Sequence, residues 1–379
     1  MKKILMAEYL EYNSDFKVGN HHYAEMFSKS QYEVLWLSPI YNYITKIVDY
    51  SIYKQRKALN KKVFPILDKN IYGYAPHSLT LYGKMPLLDT KLANKMSIEL
   101  TIPNIINALK YNRFYEVDIL WLTNPKYYYL TEKIKYKKLI YRCADDIDGF
   151  EKVCKTMSYF EEKIMRKADI VFATAHSLMD KKKKIRQDII YLPNGVELDN
   201  FMRSKYSMPK EFKKSINKKC IYVGAIDHWF DVDLIKYCAK KLPNIDFYLI
   251  GPIKINLNEL QDFKNVYILG KKNYDDIPNY LYYSDVSIIP FKVNDLTDSI
   301  TPIKLYEYMS VGLNVVSTNF KEMNYIDSPA YISGNYEEFC SYILKGIKNK
   351  EYNINVNKKF AKNNTWSKRF EDIKRFIYE

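Results

Sequence analysis

A lysine and a glutamate three residues apart on one short predicted helix are the residues best suited to chemistry on an anionic ligand. Lys304 and Glu307 follow an apolar run that ends at Pro290 and a polar loop. Gly312 then ends the helix before a β-branched run at 314–318. This order predicts a strand, a loop, a helix and a strand, with the helix N-terminus at the carboxyl edge of a parallel sheet. Its free N–H groups and positive dipole end favour a diphosphate at that edge.

The alternative is that Lys304 and Glu307 are solvated helix residues, which is the usual state of an isolated Lys-x-x-Glu pair. The flanking pattern is long, and it favours a ligand site.

The segment 285–318 resembles the donor-binding segment of GT-B glycosyltransferases. Its residue pattern is similar to that of a bacterial branch that includes teichuronic acid transferases and the glucuronosyltransferase of xanthan assembly. The resemblance implies that Glu307 binds the ribose hydroxyls. It also implies that Ser299, Thr301 and Lys304 face the diphosphate. One departure is that Ser299 stands where many retaining members carry a second glutamate, so an inverting displacement is expected and the retaining route is the alternative.

Length and composition are typical of a folded chain with two domains. The chain has 379 residues, of which 47% are hydrophobic and 27% charged. Its five cysteines are odd in number and form no C-x-x-C pair, which favours a reducing compartment and argues against structural zinc. Glu8, Glu11 and Asp15 interrupt the apolar start too early for a signal peptide. Because no apolar window is long enough to span a membrane, we expect a soluble or peripheral cytoplasmic protein.

The net charge of +15 predicts an anionic partner, which could be nucleic acid, a nucleotide sugar or a membrane surface. The basic runs are concentrated before residue 200 and are interleaved with tyrosines; they lie at 54–57, 61–62, 133–138 and 181–184. Any one run is usually a solvated face. Their concentration favours peripheral contact with anionic lipid, at the inner face of the plasma membrane.

Two series of short apolar runs alternate with helical patterns, which is the rhythm of doubly wound parallel sheets. The turn at 193–195 separates them, because Asn194 and Gly195 accept positive φ. We therefore predict an α/β protein of GT-B fold, with two Rossmann-like domains facing across a cleft. The predicted parts are an acceptor-binding domain at 1–195, a nucleotide-sugar-binding domain at 196–362 and a helix at 363–379 that packs back on the first domain.

Residues 40–112 do not follow this rhythm. They mix aromatic, basic and apolar residues, with helical patterns at 43–62 and 89–109. By resemblance to the xanthan-type branch, this region belongs to the acceptor side.

The first domain offers a small polar cluster after its first strand. Asn20 is predicted to cap a helix, and Gly19 lets the backbone approach a ligand. His21 and His22 could hold an acceptor or a sugar phosphate, and His22 could act in catalysis, although histidines near a cap are often idle. Adjacent helix side chains diverge, so no metal site is expected here.

Three aspartates follow the strand that ends near Arg142. A carboxylate at a strand's carboxyl end can take a proton from an acceptor hydroxyl. Asp145 is the first candidate base and Asp146 the second, as the resemblance also favours, whereas at least one of these two and Asp148 is expected to cap the next helix.

The second domain adds three candidates on the donor side. Gly224 follows a strand and would let backbone N–H groups approach the diphosphate. Asp231 resembles a recurring acid of the xanthan-type branch, and a helix cap is an equal alternative. Tyr274 could stack on uracil, since related enzymes hold the nucleobase in this segment.

These patterns predict a glycosyltransferase, hexosyl- or glucuronosyltransferase-like, that moves a sugar from a nucleoside diphosphate sugar to an acceptor. The donor is expected to be a UDP-sugar and the acceptor a glycan or lipid-linked glycan of cell-surface polysaccharide synthesis. No metal or other cofactor is expected, because Lys304, helix N–H groups and hydroxyls can stabilise the departing diphosphate.

The competing interpretation is a basic α/β protein that binds nucleic acid without chemistry. Charge is its sole support, because no RNA-recognition motif, helix-turn-helix pattern or zinc spacing is present in the sequence. A nucleic-acid partner is therefore not expected.

Overall fold

The computed structural model describes residues 1–14, 17–149 and 153–378, and it divides into two compact units. The first unit comprises Met1–Leu192 and the last residues from Phe376 onward, and the second comprises Pro193–Arg375. The first unit ends at Leu192, three residues before the boundary that the sequence predicts at 195.

The first unit is built on one large sheet and a short hairpin. Its strands are β1 (Lys2–Ala7), β2 (Tyr32–Leu37), β3 (Ile66–Asp68), β4 (Ile71–Tyr74), β5 (His77–Ser78), β6 (Thr101–Ile102), β7 (Glu116–Leu122), β8 (Lys135–Cys143), β9 (Ile170–Ala173) and β10 (Ile190–Tyr191). Its helices are α1 (Gly19–Lys29), α2 (Tyr43–Val48), α3 (Tyr50–Leu59), α4 (Lys91–Glu99), α5 (Ile105–Tyr111), α6 (Leu130–Lys133), α7 (Lys155–Lys167) and α8 (His176–Lys182).

The sheet has the order β10-β9-β8-β7-β1-β2-β4-β3, and every neighbouring pair is parallel except β3 with β4. Helices connect the parallel strands and cover the sheet, so the central strands are apolar on both faces. Trp36 and Trp121 lie on either side of Met6 in the register, and all three are fully buried. This rigid centre fixes the strand ends that carry the polar residues.

Residues 40–112 hold a strand that the sequence pattern does not reveal. β4 pairs in parallel with β2 and extends the main sheet, whereas we expected this region to lie outside the βαβ rhythm. The run Tyr72-Gly73-Tyr74 is short and has a glycine at its centre, so it gives a weak strand signal. A Cβ on Gly73 would lie 2.7 Å from the Leu67 side chain, so a larger residue there would require Leu67 to move.

Each long helix predicted in this region is divided in the structure. The pattern at 43–62 forms α2 and α3, because the Asp49 side chain accepts from the Ile52 N–H at 2.9 Å and starts a new helix. The pattern at 89–109 forms α4 and part of α5, with β6 and Pro103 between them.

The second unit is built on a six-stranded parallel sheet of order β13-β12-β11-β14-β15-β16. Its strands are β11 (Lys218–Val223), β12 (Ile245–Ile250), β13 (Val266–Gly270), β14 (Val286–Ile289), β15 (Val315–Thr318) and β16 (Tyr331–Ser333). Its helices are α9 (Leu198–Phe201), α10 (Val232–Lys241), α11 (Ile277–Tyr282), α12 (Ile303–Ser310), α13 (Tyr336–Lys348) and α14 (Lys350–Asn363). The last helix, α15 (Trp366–Tyr378), begins in the second unit and its final residues belong to the first. The apolar runs at 219–224, 247–251, 266–270, 286–290 and 315–318 predict β11 to β15, whereas no run predicts β16.

Gly195 of the predicted turn contacts the backbone that precedes α15. A Cβ at this position would lie 2.8 Å from main-chain atoms of Thr365 and Trp366. The Val196 N–H donates to the Asn364 carbonyl at 3.0 Å in the same place. The turn therefore anchors the start of the C-terminal helix.

The end of α15 contacts the first unit's own sheet. The Tyr378 hydroxyl lies 2.9 Å from the Tyr32 hydroxyl, and Phe376 packs edge-on against Phe172 with ring centroids 6.0 Å apart. Among the described residues, the helices are each too short or too polar to cross a bilayer.

A buried ion pair in the first unit provides a stability test. Lys182 Nζ lies 2.6 Å from Glu161 Oε2, and the Tyr141 hydroxyl donates to Glu161 Oε1 at 2.8 Å. Because Lys182→Met leaves the carboxylate buried without its cation, we expect the free energy of unfolding to fall by about 3–5 kcal/mol. The matched control is Lys183→Met, whose exposed pair with Asp180 stabilises by less than about 1 kcal/mol. Equal urea denaturation curves for the two variants would contradict this expectation.

Candidate active site

Two loops at the carboxyl edge of the second sheet carry the residues predicted for the donor side. One follows β11 and leads to α10, and the other follows β14 and leads to α12. β11 and β14 are hydrogen-bonded neighbours, so the two loops start side by side. This is the position at which parallel α/β sheets bind ligands.

Gly224 lets the Lys304 side chain lie across the end of β11. Its φ is +151°, and a Cβ there would lie 2.9 Å from Lys304 Cε and 3.2 Å from Nζ. Tyr308 on α12 also holds the helix against the end of β11. Its hydroxyl accepts from the Val223 N–H at 2.7 Å and donates to the Val223 carbonyl at 3.0 Å. A side chain at position 224 would displace the lysine.

Lys304 is a cation without a hydrogen-bond acceptor or ion-pair partner among the described residues. Its Nζ lies 4.7 Å from the Phe291 ring centroid and 5.5 Å from that of Tyr222. Burial lowers the pKa of Lys304 to about 8, and the negative charge of Glu307 opposes this shift. No described side chain caps α12, whose first residue follows Pro302. The lysine and the first N–H groups of α12 therefore form one electropositive site.

Glu307 lies one turn further along α12 and accepts from the Tyr274 hydroxyl at 3.0 Å. Burial raises the pKa of Glu307 to about 7. The Tyr274 hydrogen bond and Lys304 act in the opposite direction, and the Glu197 charge raises the pKa further. The Tyr274 ring also packs edge-on against Phe201, with centroids 5.7 Å apart. In this structure Tyr274 orients the Glu307 carboxylate, and its stacking on a base stays a prediction.

Ser299 and Thr301 are buried in the loop before α12. The Ser299 hydroxyl donates to the Asp295 carbonyl at 3.2 Å, and the Thr301 hydroxyl lies 3.5 Å from Glu322 Oε1. The Asn194 amide donates to the Thr301 carbonyl at 2.8 Å. In this structure these contacts hold the loop itself, and contact with a diphosphate stays a prediction.

Asp231 caps α10. Its carboxylate accepts from the Leu234 N–H at 2.9 Å, and the Tyr336 hydroxyl lies 3.1 and 2.9 Å from its two oxygens. These donors favour the cap alternative over a direct donor contact.

The two candidate bases of the first unit have different surroundings. Asp146 is buried, and its Oδ2 lies 2.5 Å from Lys181 Nζ. Asp145 is accessible to solvent, but the protein packed around it raises its pKa. Arg142 lowers that pKa, and the Asp146 charge raises it. Asp145 is therefore the more accessible of the two aspartates.

The polar cluster at the start of α1 is buried, and it differs from the prediction in one respect. α1 begins at Gly19 with Val18 as its N-cap, so Asn20 is not the cap. His21 accepts from the Val18 N–H at 3.1 Å through Nδ1, and its Nε2 lies 3.0 Å from the Glu11 carbonyl. His21 therefore has a structural role.

His22 is a weak proton acceptor. Burial lowers the pKa of His22 to about 3, so the imidazole is neutral at pH 7. A group with this pKa holds a proton poorly near neutral pH, which weighs against His22 as the base.

Glu8 is a buried acid, and the sequence pattern identifies it only as an interruption of the apolar start. Glu8 directly follows β1, and Thr123 directly follows the neighbouring strand β7. Arg142 follows Tyr141, the last residue of β8 that pairs with β7, so the three residues form a row across adjacent strand ends. Its carboxylate accepts from Asn20 at 2.5 Å and Thr123 at 3.4 Å. Burial raises the pKa of Glu8 to about 7, and Asn20, Arg142 and Thr123 oppose that shift. An acid directly after a central parallel strand is the sequence signal that could have identified it.

Comparison with known proteins agrees with this geometry. Residues 217–349 match the family model described as Glycosyl transferases group 1. This segment of the second unit contains Gly224, Lys304 and Glu307, and the predicted glycosyltransferase class is confirmed.

The similar proteins include a Bacillus subtilis (strain 168) protein named as a teichuronic acid biosynthesis glycosyltransferase, TuaH. It is 25% identical over 282 residues, which are 68% of this chain and 71% of that protein. Sucrose-phosphate synthase from Thermosynechococcus elongatus superposes with a TM-score of 0.72 at 11% identity, over 100% of this chain and 98% of that one. Anabaena HepE, solved in complex with UDP, superposes with a TM-score of 0.65 at 12% identity over 100% of both chains. These likenesses confirm the GT-B fold.

Proposed function

We propose that this enzyme transfers a sugar from a UDP-sugar to a glycan or lipid-linked acceptor of a cell-surface polysaccharide. The observation that carries the donor assignment is Lys304, a cation without an ion-pair partner among the described residues, held beside the uncapped start of α12. A diphosphate supplies the negative charge that this position lacks. HepE structures with UDP and UDP-glucose support the choice of nucleotide, and the name of TuaH supports a polysaccharide acceptor.

Lys304 and Glu307 divide the recognition of the donor between them. The ammonium faces the diphosphate, whose negative charge increases as the glycosidic bond breaks, so it stabilises the transition state more than the ground state. The Glu307 carboxylate, oriented by Tyr274, accepts the ribose hydroxyls. A fixed cation and helix N–H groups can neutralise the leaving group, which supports a metal-independent reaction.

The acceptor hydroxyl needs a base if the reaction inverts the anomeric centre. Asp145 fits this role because its carboxylate is accessible and its pKa is raised toward neutrality. Asp146 pairs with Lys181, which suits it to holding the loop.

An anionic membrane surface is the proposed site of action. α2 exposes Ile47 and Val48, 80% and 78% accessible, which are apolar residues with no core role. Lys54 and Lys57 on α3 are exposed on the next helix, and α2 packs against α3. Apolar side chains enter the headgroup boundary while the lysines contact anionic lipid, at about 1 kcal/mol each.

The pH dependence of UDP affinity tests the donor site. Glu307 is charged above its pKa of about 7, and Lys304 is charged below its pKa of about 8. Because both charges are needed, we expect affinity to be highest between pH 7 and 8 and to fall on both sides. Glu307→Gln should weaken UDP binding more than tenfold at pH 7.5, a loss of about 1.5–3 kcal/mol. It should also remove the part of the affinity loss below pH 7 that comes from protonation of Glu307. Lys304→Met should remove the fall in UDP affinity above pH 8. Calorimetry that shows wild-type affinity for both variants would contradict the site.

The base is tested by separate variants at positions 145 and 146. Asp145→Asn should lower transfer by about 10²–10⁴-fold and leave UDP affinity unchanged, because the proposed donor contacts are in the other unit. Asp146→Asn is the matched control, and it should lower the melting temperature but change the turnover rate little. Near-normal transfer by the Asp145 variant would instead favour a retaining route.

Liposome flotation tests the membrane surface. The double variant Ile47→Asp/Val48→Asp should lose binding to anionic vesicles, while the wild type floats with anionic and not with neutral vesicles. The control carries Tyr352→Asp/Val356→Asp, another exposed apolar pair, on α14 of the second unit. The surface is wrongly placed if both double variants bind alike.

A further inference from the structure

Two cysteines of the second unit bring their sulfur atoms together in its core. Cys238 on α10 and Cys340 on α13 have Sγ atoms 3.4 Å apart. Both thiols are free and buried, Cys238 completely and Cys340 with 7% of its surface accessible. The residues are 102 positions apart in the chain, so their contact is a product of the tertiary fold.

The helices that carry the two thiols are fixed against each other at their first turns. The Tyr336 hydroxyl at the start of α13 binds the Asp231 carboxylate that caps α10. One residue before Cys238, the Tyr237 hydroxyl donates to Glu337 Oε1 at 2.8 Å. A disulfide has an S–S distance of about 2.05 Å, so the sulfurs need to approach by only about 1.4 Å.

We propose that Cys238 and Cys340 form an oxidation site, at which a peroxide converts the two thiols to a disulfide that joins α10 to α13. The Cys340 thiolate attacks one peroxide oxygen, the O–O bond breaks, and a sulfenic acid and water form. The Cys238 thiolate then attacks the sulfenic sulfur, the S–O bond breaks, and a second water leaves. The two thiols lose two protons and two electrons, and one hydrogen peroxide becomes two water molecules.

Cys340 is the thiol that reacts first, because it has the accessible surface. The hydrogen bond shared with Cys238 and the nearby Lys241 lower the pKa of Cys340, while burial opposes them. The same hydrogen bond and burial raise the pKa of Cys238, so Cys238 ionises less readily and is the thiol that reacts second.

The disulfide restricts the unfolded chain and leaves the folded helices in place. A link across about 100 residues removes much of the loop-closure entropy of the unfolded state. We expect the disulfide to raise the melting temperature of the second unit by about 5–10 °C, and reduction of the disulfide to restore the original value. This proposal does not depend on the proposed function, so either can fail alone.

The experiment treats the reduced full-length protein with one to five equivalents of hydrogen peroxide. Intact mass should fall by about 2 Da, and the thiols that titrate in denaturant should fall from five to three. Peptide mapping without reductant should give one linked pair containing positions 238 and 340. Five remaining thiols, a linked pair of other positions or a disulfide between two chains would overturn the proposal.

Two variants serve as matched controls. Cys340→Ser should give no mass loss of 2 Da and no rise in melting temperature with peroxide. Cys220→Ser removes another buried cysteine of the same unit and should still form the 238–340 link. A 2 Da loss in Cys340→Ser, or failure of the link in a folded Cys220→Ser, would assign the chemistry to Cys220 instead.

Discussion

The donor side of this enzyme depends on the missing side chain at position 224. Gly224 has a positive φ and lies where a Cβ would contact the Lys304 side chain. A second glycine lets the chain after β12 approach the chain after β11, because a Cβ on Gly251 would lie 1.9 Å from the Gly224 carbonyl oxygen. The backbone after β11 therefore passes close to α12. The lysine can then place its ammonium at the helix N-terminus, where an anion is bound best.

The ionisation of Lys304 and Glu307 follows from this packing. Burial shifts each pKa toward neutrality, and the attraction between the two charges opposes both shifts. The Tyr274 hydrogen bond further supports the Glu307 carboxylate. A buried charge without full compensation costs free energy in the unliganded protein, and a ligand of opposite charge recovers it. Perturbed groups of this kind are concentrated at functional sites.

The first unit places its polar residues at strand ends in two layers. The row of Glu8, Thr123 and Arg142 is buried beneath α1, with Asn20 bonded to the glutamate. Asp145 follows Arg142 by three residues and remains accessible. Because Arg142 lowers the pKa values of both Glu8 and Asp145, the buried row and the exposed loop share one cation.

The sequence by itself determined the two parallel α/β units, the turn near Pro193 and the place of Lys304 and Glu307 on the helix after β14, because hydrophobic period and local turn chemistry are local properties. It missed β4, whose central glycine weakens the strand pattern, and it could not separate the roles of Asp145 and Asp146. Only the tertiary structure decided that Lys181 neutralises Asp146, that Asp231 is a helix cap bound by Tyr336, and that Asn20 serves Glu8. Each of these outcomes depends on a partner distant in the chain. A carboxylate's role is set by the charges and donors packed around it, and sequence spacing does not specify those neighbours.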